Sequence, residues 1–315
     1  MTAPVTRSRV LLVVRYGLLA LVLAAVVWAL ARNWSEVSRE LGRMSWPAVV
    51  LALVLTLGAP LCTLVGWRVL LTHLGTRLPL APAASIFFVG QLGKYVPGSV
   101  WTVLAQAEMG AKLRVPRRRM AVTGLLAIGL GILCAGLLGV VALPRLLARG
   151  SSPVTAWVLV GAVLLGGVLF HPRLLNGMVA LGLRLLRREP LEHELGGRAV
   201  VLTGAWFLGA WVSAGLGVAV LVRSLQPDAS LADLVVAGVC GFALASAVGQ
   251  ISVLVPAGVG IRDGVLALLL VTFMPLSAAT AVVVVARFLA IVADLVVAGG
   301  GWAWGRRHHL LGSEG

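Results

Sequence analysis

Val89-Gly90-Gln91-Leu92-Gly93-Lys94-Tyr95-Val96-Pro97-Gly98 returns 159 residues later as Val248-Gly249-Gln250-Ile251-Ser252-Val253-Leu254-Val255-Pro256-Ala257. Five of the ten positions are identical, and at the same offset Pro116, ahead of one apolar run, matches Pro275, ahead of another. Apolar strings recur by chance in a chain of Val, Leu, Gly and Ala, but the Gln and Pro identities are harder to obtain that way. Each copy interrupts an apolar stretch, residues 81–113 and 231–262, with glycine, proline and polar side chains. Unwound backbone exposes N–H and C=O groups that hydrocarbon cannot satisfy. Such a break survives at membrane depth only where protein buries it or a wet cavity faces it.

The membrane itself follows from composition. Sixty per cent of the 315 residues are apolar and 12% are charged, against about 25% charged in an average soluble domain. Runs at 10–31, 47–71, 120–143, 154–170, 199–222 and 277–304 approach or reach the length a helix needs to cross the hydrocarbon. A cleavable signal peptide ending near Ala31 competes with an anchor at the first run, whose length favours the anchor. Residues 33–46 and 171–198 mix charged and aromatic or aliphatic side chains and are expected on the membrane surface. The fold class expected is an all-α, polytopic membrane bundle of about six full spans plus two broken segments. Residues 1–315 form a single membrane domain, with an internal repeat at about 47–143 and 199–304.

If each broken segment enters and leaves on one side, sixteen cationic residues fall on the cytoplasmic side and seven outside, with both termini inside. A full crossing at either segment would turn the basic stretch 184–198 or the tail Arg306-Arg307 outward. The re-entrant reading is therefore preferred. Three complete spans then separate the two motifs, an odd number, so the hairpins are inverted with respect to each other. Inverted repeats with broken helices near the midplane are an architecture of many transporters. The competing reading is two re-entrant elements that merely pack together.

The net charge of +15 belongs to loops that set topology and meet anionic lipid, so no nucleic-acid partner is expected. Cys62, Cys134 and Cys240 are isolated in apolar runs and read as packing residues, and all five histidines lie in loops or the tail. No metal, cofactor or nucleophilic catalytic group is expected, and the chain is not read as an enzyme.

Charges at membrane depth cost about 2.5–3.5 kcal/mol each on insertion scales and mark function by default. Lys94 either lines a cavity or snorkels to the cytoplasmic headgroups. Arg262-Asp263 closes the second broken segment and is either a working pair or a rim pair at the outer interface. Arg287 and Asp294, seven residues apart, share one helix face, where they form a pair or where Arg287 meets a lipid phosphate or another carboxylate. Glu108 has Lys112 four residues on.

Gly93-Lys94-Tyr95-Val96-Pro97-Gly98-Ser99-Val100-Trp101 and Val255-Pro256-Ala257-Gly258-Val259-Gly260-Ile261-Arg262-Asp263-Gly264 resemble two signatures of one family, and the order of elements fits from Trp67-Arg68 to Arg287. That family is the membrane domain of lysylphosphatidylglycerol synthase with its stand-alone, flippase-like relatives. The resemblance covers about residues 10–305 and departs at Asp263, where the family usually has Glu. It implies a domain that accommodates or moves lipid through cavities between two inverted re-entrant elements. The aminoacyl-transferase domain of full-length synthases is not expected after Trp304.

The lipid-facing residues expected are Gln91, Lys94, Tyr95, Pro97, Gly98 and Trp101 from the first motif. Gln250, Pro256, Gly258, Gly260, Arg262 and Asp263 come from the second, and Arg287 and Asp294 from the last span. The expected partner is a membrane phospholipid or lipid-linked intermediate, in the plasma membrane of a bacterium, with a membrane enzyme or a second copy as a further partner. Translocation of that lipid is the first reading. Presentation of it to a separate glycosyl- or aminoacyl-transferase is the second, and small-solute transport the third.

Overall fold

The computed structural model describes residues 34–96, 100–143, 161, 165–166, 168–185, 187–189, 191–251 and 260–308. The expected span at 10–31, most of that at 154–170, and Pro97, Gly98, Pro256 and Gly258 lie outside the described residues. Among the described residues all regular structure is helical.

A short helix α1 (Trp34–Arg43) carries polar side chains on most of its surface and precedes the first long described span, α2 (Trp46–His73). Pro47 fits the first turn of α2, where a missing N–H costs nothing. Leu80–Gln91 is α3, tightening into a 3-10 turn at Leu92–Tyr95, and Trp101–Lys112 is α4. Next come α5 (Arg117–Gly139), α6 (Pro172–Leu185) and α7 (Gly197–Leu225). Helix α8 runs from Leu231 to Ile251, α9 is Ile261–Leu270, and α10 is Leu276–Arg307. Helices α2, α5 (continued by a 3-10 turn to Ala142), α7 and α10 are four of the six expected spans, each a little longer than its apolar run.

Close helix contacts fix the directions. Helices α2 and α7 are antiparallel: Gly58 faces Ser213, whose hydroxyl donates to the Leu55 carbonyl at 2.6 Å, and Gly66 faces Phe207. Helix α3 starts at the His73 end of α2, where Arg68 Nε donates to the Leu78 carbonyl at 2.8 Å. It folds back as α4, with Gly90 against Gln106 and Gly93 against the backbone of Trp101 and Thr102. The chain then leaves at the same end, with Gly110 against Met120 of α5. A Cβ on Gly93 would lie 2.6 Å from the Thr102 nitrogen, so this hairpin closes only over a glycine.

The second hairpin starts at the opposite end of the bundle. Helix α8 runs back along α7 from the Leu225 end, with Gly238 against Ala219 and Gly215 against Val239. Its turns widen to π-helix over Val235–Cys240, along the stretch that packs closest to α7. Helix α9 then retraces α8, pairing Arg262 with Gly249 and Leu269 with Gly241. By length and composition α8, with 21 residues, is sufficient to cross a membrane, yet α9 brings the chain back to the side it left. Two re-entrant hairpins thus enter from opposite ends.

The second hairpin differs from expectation in its limits. Its second arm continues to Leu270, so Arg262-Asp263 stands in the first turn of α9, at the hairpin's inner end. The pair is not on the outer rim, because the apolar run after Asp263 belongs to the hairpin rather than to a new span. Helix α10 passes both hairpins: Ala278 and Ala279 share a core with Leu221 and Leu225, and Gly301 packs on Ala84 and Ser85.

Candidate functional site

Between the hairpins lies a cavity of about 370 Å³ walled by α2, α3, α4, α5, α7, α8, α9 and α10. Lys94 and Tyr95 reach it because the 3-10 turn after α3 swings both inward from the tip of the first hairpin. Lys94 Nζ lies 2.7 Å from Asp294 Oδ2. The Tyr95 hydroxyl donates to the same oxygen at 2.6 Å. Lys94 therefore lines the cavity and does not snorkel to the cytoplasmic surface.

Asp263 organises the other hairpin. Gly260, at φ 82, takes a left-handed turn that a side chain would strain. Its N–H donates to Asp263 Oδ2 at 3.3 Å, so the carboxylate caps α9 from within. The other oxygen accepts Arg262 Nε and Nη2, both at 3.3 Å, and lies 3.8 Å from Arg287 Nη1. The Arg262 guanidinium also stands 5.5 Å from the Phe242 ring centre, within cation–π range. Arg262, Arg287 and Asp294 line the cavity with Lys94.

Arg287 and Asp294 share a helix face but do not pair. Arg287 meets Asp263 of the second hairpin, whereas Asp294 meets Lys94 and Tyr95 of the first. A spacing of seven puts them two turns apart along the axis, about 10 Å, so each faces whichever hairpin tip lies at its own depth. Glu108 is a second departure. Arg117 donates to it through Nε at 2.8 Å and Nη2 at 2.9 Å, in place of the Lys112 pair expected along the helix. These bonds hold the Glu108 carboxyl below its ordinary range.

Of the remaining expected residues, Gln91 and Gln250 line the cavity, and Gln250 Nε2 donates to the Ser246 carbonyl of its own helix at 3.4 Å. Trp101 begins α4, half exposed and outside the cavity wall. Three cavity residues escaped the sequence reading as site residues: Trp67, Gln106 and Ser246. All three are buried, and Trp67 Nε1, Gln106 Oε1 and Ser246 Oγ have no hydrogen-bond partner among the described residues. Buried polar atoms are ordinarily satisfied, and these three are sealed in the helix contacts behind the cavity lining. Gln106 was visible as an isolated amide in an otherwise apolar arm, and Ser246 as a hydroxyl one turn before Gln250. Trp67 gave no signal beyond its place beside Arg68.

The arrangement is thus an apolar chamber with cations presented from both hairpins and from α10, and with Gln91 and Gln250 on its wall. It suits a small anionic and polar group within the membrane, reached without unwinding a complete span. Comparison with curated proteins found no match. The family model of the lysylphosphatidylglycerol synthase TM region matches residues 16–298. With nearly its whole length matched, this multi-pass membrane protein belongs to that family, whose name ties it to lipid.

Proposed function

We propose that the protein moves a phospholipid or lipid-linked intermediate between leaflets, holding its headgroup in the chamber while the acyl chains stay in lipid. The observation that carries this is the placement of Lys94, Arg262 and Arg287 on one cavity between hairpins that enter from opposite ends. A headgroup entering from either side meets a cation at a hairpin tip before it meets hydrocarbon. The membrane-depth penalty on its charge, several kcal/mol in lipid, is offset there by fixed counter-charges. The end of the bundle at the first hairpin carries Arg68, Arg77, Arg114, Arg117, Arg118 and Arg119 and is assigned to the cytoplasm, in a bacterial plasma membrane.

The test is translocation in reconstituted vesicles. Lys94→Ala and Arg287→Ala are expected to slow it about tenfold or more while protein yield stays near wild type. Wild-type rates in both variants sink the assignment of these residues. Lipid retained by the purified protein without any translocation favours the reading in which the lipid is presented to a separate enzyme.

A further inference from the structure

The Tyr95 hydroxyl and the Lys94 ammonium meet on one atom, Asp294 Oδ2, at 2.6 Å and 2.7 Å. Their surroundings differ. The Lys94 side chain is 37% exposed and the Asp294 side chain 15%, so the ammonium has a face open to the chamber that the carboxylate lacks. An ammonium carries three donors, and Asp294 is its one salt-bridge partner among the described residues. A phosphate in the chamber therefore reaches Lys94 first and competes with Asp294 for it.

What that exchange leaves behind gives Tyr95 its role. A carboxylate stripped of its cation at membrane depth is costly, and no second cation stands ready beside Asp294. On the same helix Arg287 lies two turns away and meets Asp263, and on α9 Arg262 holds that same Asp263. The chamber residues of α2, α3, α4, α5, α7 and α8 include no charged side chain. Tyr95 remains. Its hydroxyl reaches the carboxylate from the same 3-10 turn as Lys94, and a neutral donor is drawn to phosphate less strongly than an ammonium.

We propose that Lys94 is an exchangeable partner, passed from Asp294 to the phosphate of an arriving headgroup, and that Tyr95 is the positioning residue that holds Asp294 once Lys94 has left. The second hairpin is not freed in the same way. Asp263 keeps the Gly260 N–H and one guanidinium even when the other turns to phosphate. Occupancy of the chamber thus loosens the first hairpin from α10 while the second stays held. This rests on the lipid reading above, and it holds whether the lipid is translocated or presented to an enzyme.

The experiment follows thermal unfolding of the full chain in detergent, alone, with phosphatidylglycerol, and with diacylglycerol as the phosphate-free control. The wild-type Tm is expected to rise with phosphatidylglycerol and not with diacylglycerol. Tyr95→Phe removes one oxygen and keeps the ring beside Lys94. Without lipid it is expected to unfold near the wild-type temperature, because Lys94 still covers Asp294. Its half-saturating phosphatidylglycerol concentration is expected to rise about tenfold, the loss of one hydrogen bond to a charged group. Asp294→Asn leaves no charge behind, so adding Tyr95→Phe to it is expected to leave lipid binding unchanged.

A hydroxyl that merely ties the hairpin to α10 would lower the Tm of empty and loaded protein equally, and that result overturns the exchange. Wild-type affinity in Tyr95→Phe also overturns it, and leaves the lipid in the chamber. Absence of a phosphatidylglycerol-specific shift in the wild type removes the lipid from the chamber, and the exchange with it.

Discussion

The two hairpins share a design and differ in chemistry. Both fold over glycine, both stop at membrane depth, and both place a basic residue near the tip. The first sends Lys94 and Tyr95 outward to a carboxylate on α10, Asp294. The second carries its own carboxylate, Asp263, which caps its own helix and holds an arginine from each side. The first hairpin is therefore tied to its neighbour by what the neighbour supplies, and the second by what it supplies itself. Similar backbone breaks do not imply interchangeable sites, as the Val253 counterpart of Lys94 already indicated.

The largest expected break in this comparison is Asp263→Asn, which leaves two buried guanidiniums facing each other without their carboxylate. A loss of about 4 kcal/mol is expected, against about 2 kcal/mol for Asp294→Asn, where Lys94 is more exposed and retains other solvation. Thermal or denaturant unfolding in detergent measures both, and equal losses would remove the asymmetry between the hairpins.

Glycine substitution sharpens the same contrast. Gly93→Val is expected to cost about 3 kcal/mol, because the added atoms meet the Trp101–Thr102 backbone. Gly249→Val faces mainly the Arg262 side chain and the backbone behind it, and about 1–2 kcal/mol is expected. Reversal of that order would mean that the second hairpin, not the first, closes more tightly.

The smallest effect is assigned to the rim of the first hairpin. Arg117 lowers the Glu108 carboxyl from its ordinary value of 4.5, so the pair's contribution is complete above that value. It is lost as pH falls through the lowered one. Both side chains are exposed, so Glu108→Gln is expected to cost little at neutral pH, and that small difference from wild type to vanish on the acid limb of the stability profile.

Much of this was legible in the sequence. Hydrocarbon forbids unsatisfied backbone, so the breaks around Gly93 and Gly260 announced the hairpins, and the basic loops gave their opposed entry. The depth of Arg287 and Asp294 followed from the apolar run around them, whereas Lys94 stood open between a cavity and the headgroups. Pairing did not. Periodicity puts Arg287 and Asp294 on one face but is silent about which element stands opposite each, and that choice sent the two residues to different hairpins. Arg262-Asp263 was left open between a working pair and a rim pair for a related reason. An apolar run beginning after a charged pair reads the same whether it starts a new span or completes a hairpin. Trp67, Gln106 and Ser246 became visible as cavity-lining residues only once the helices were packed together.

Helix α10 holds Asp294 against one hairpin and Arg287 against the other. Because both residues lie along a single line on its surface, a rotation of the helix by one residue's worth, about 100°, would withdraw both at once. Neither hairpin has a release of its own by that motion. Any turn of this one helix would be felt at both hairpins together, as one key cut for two locks turns both.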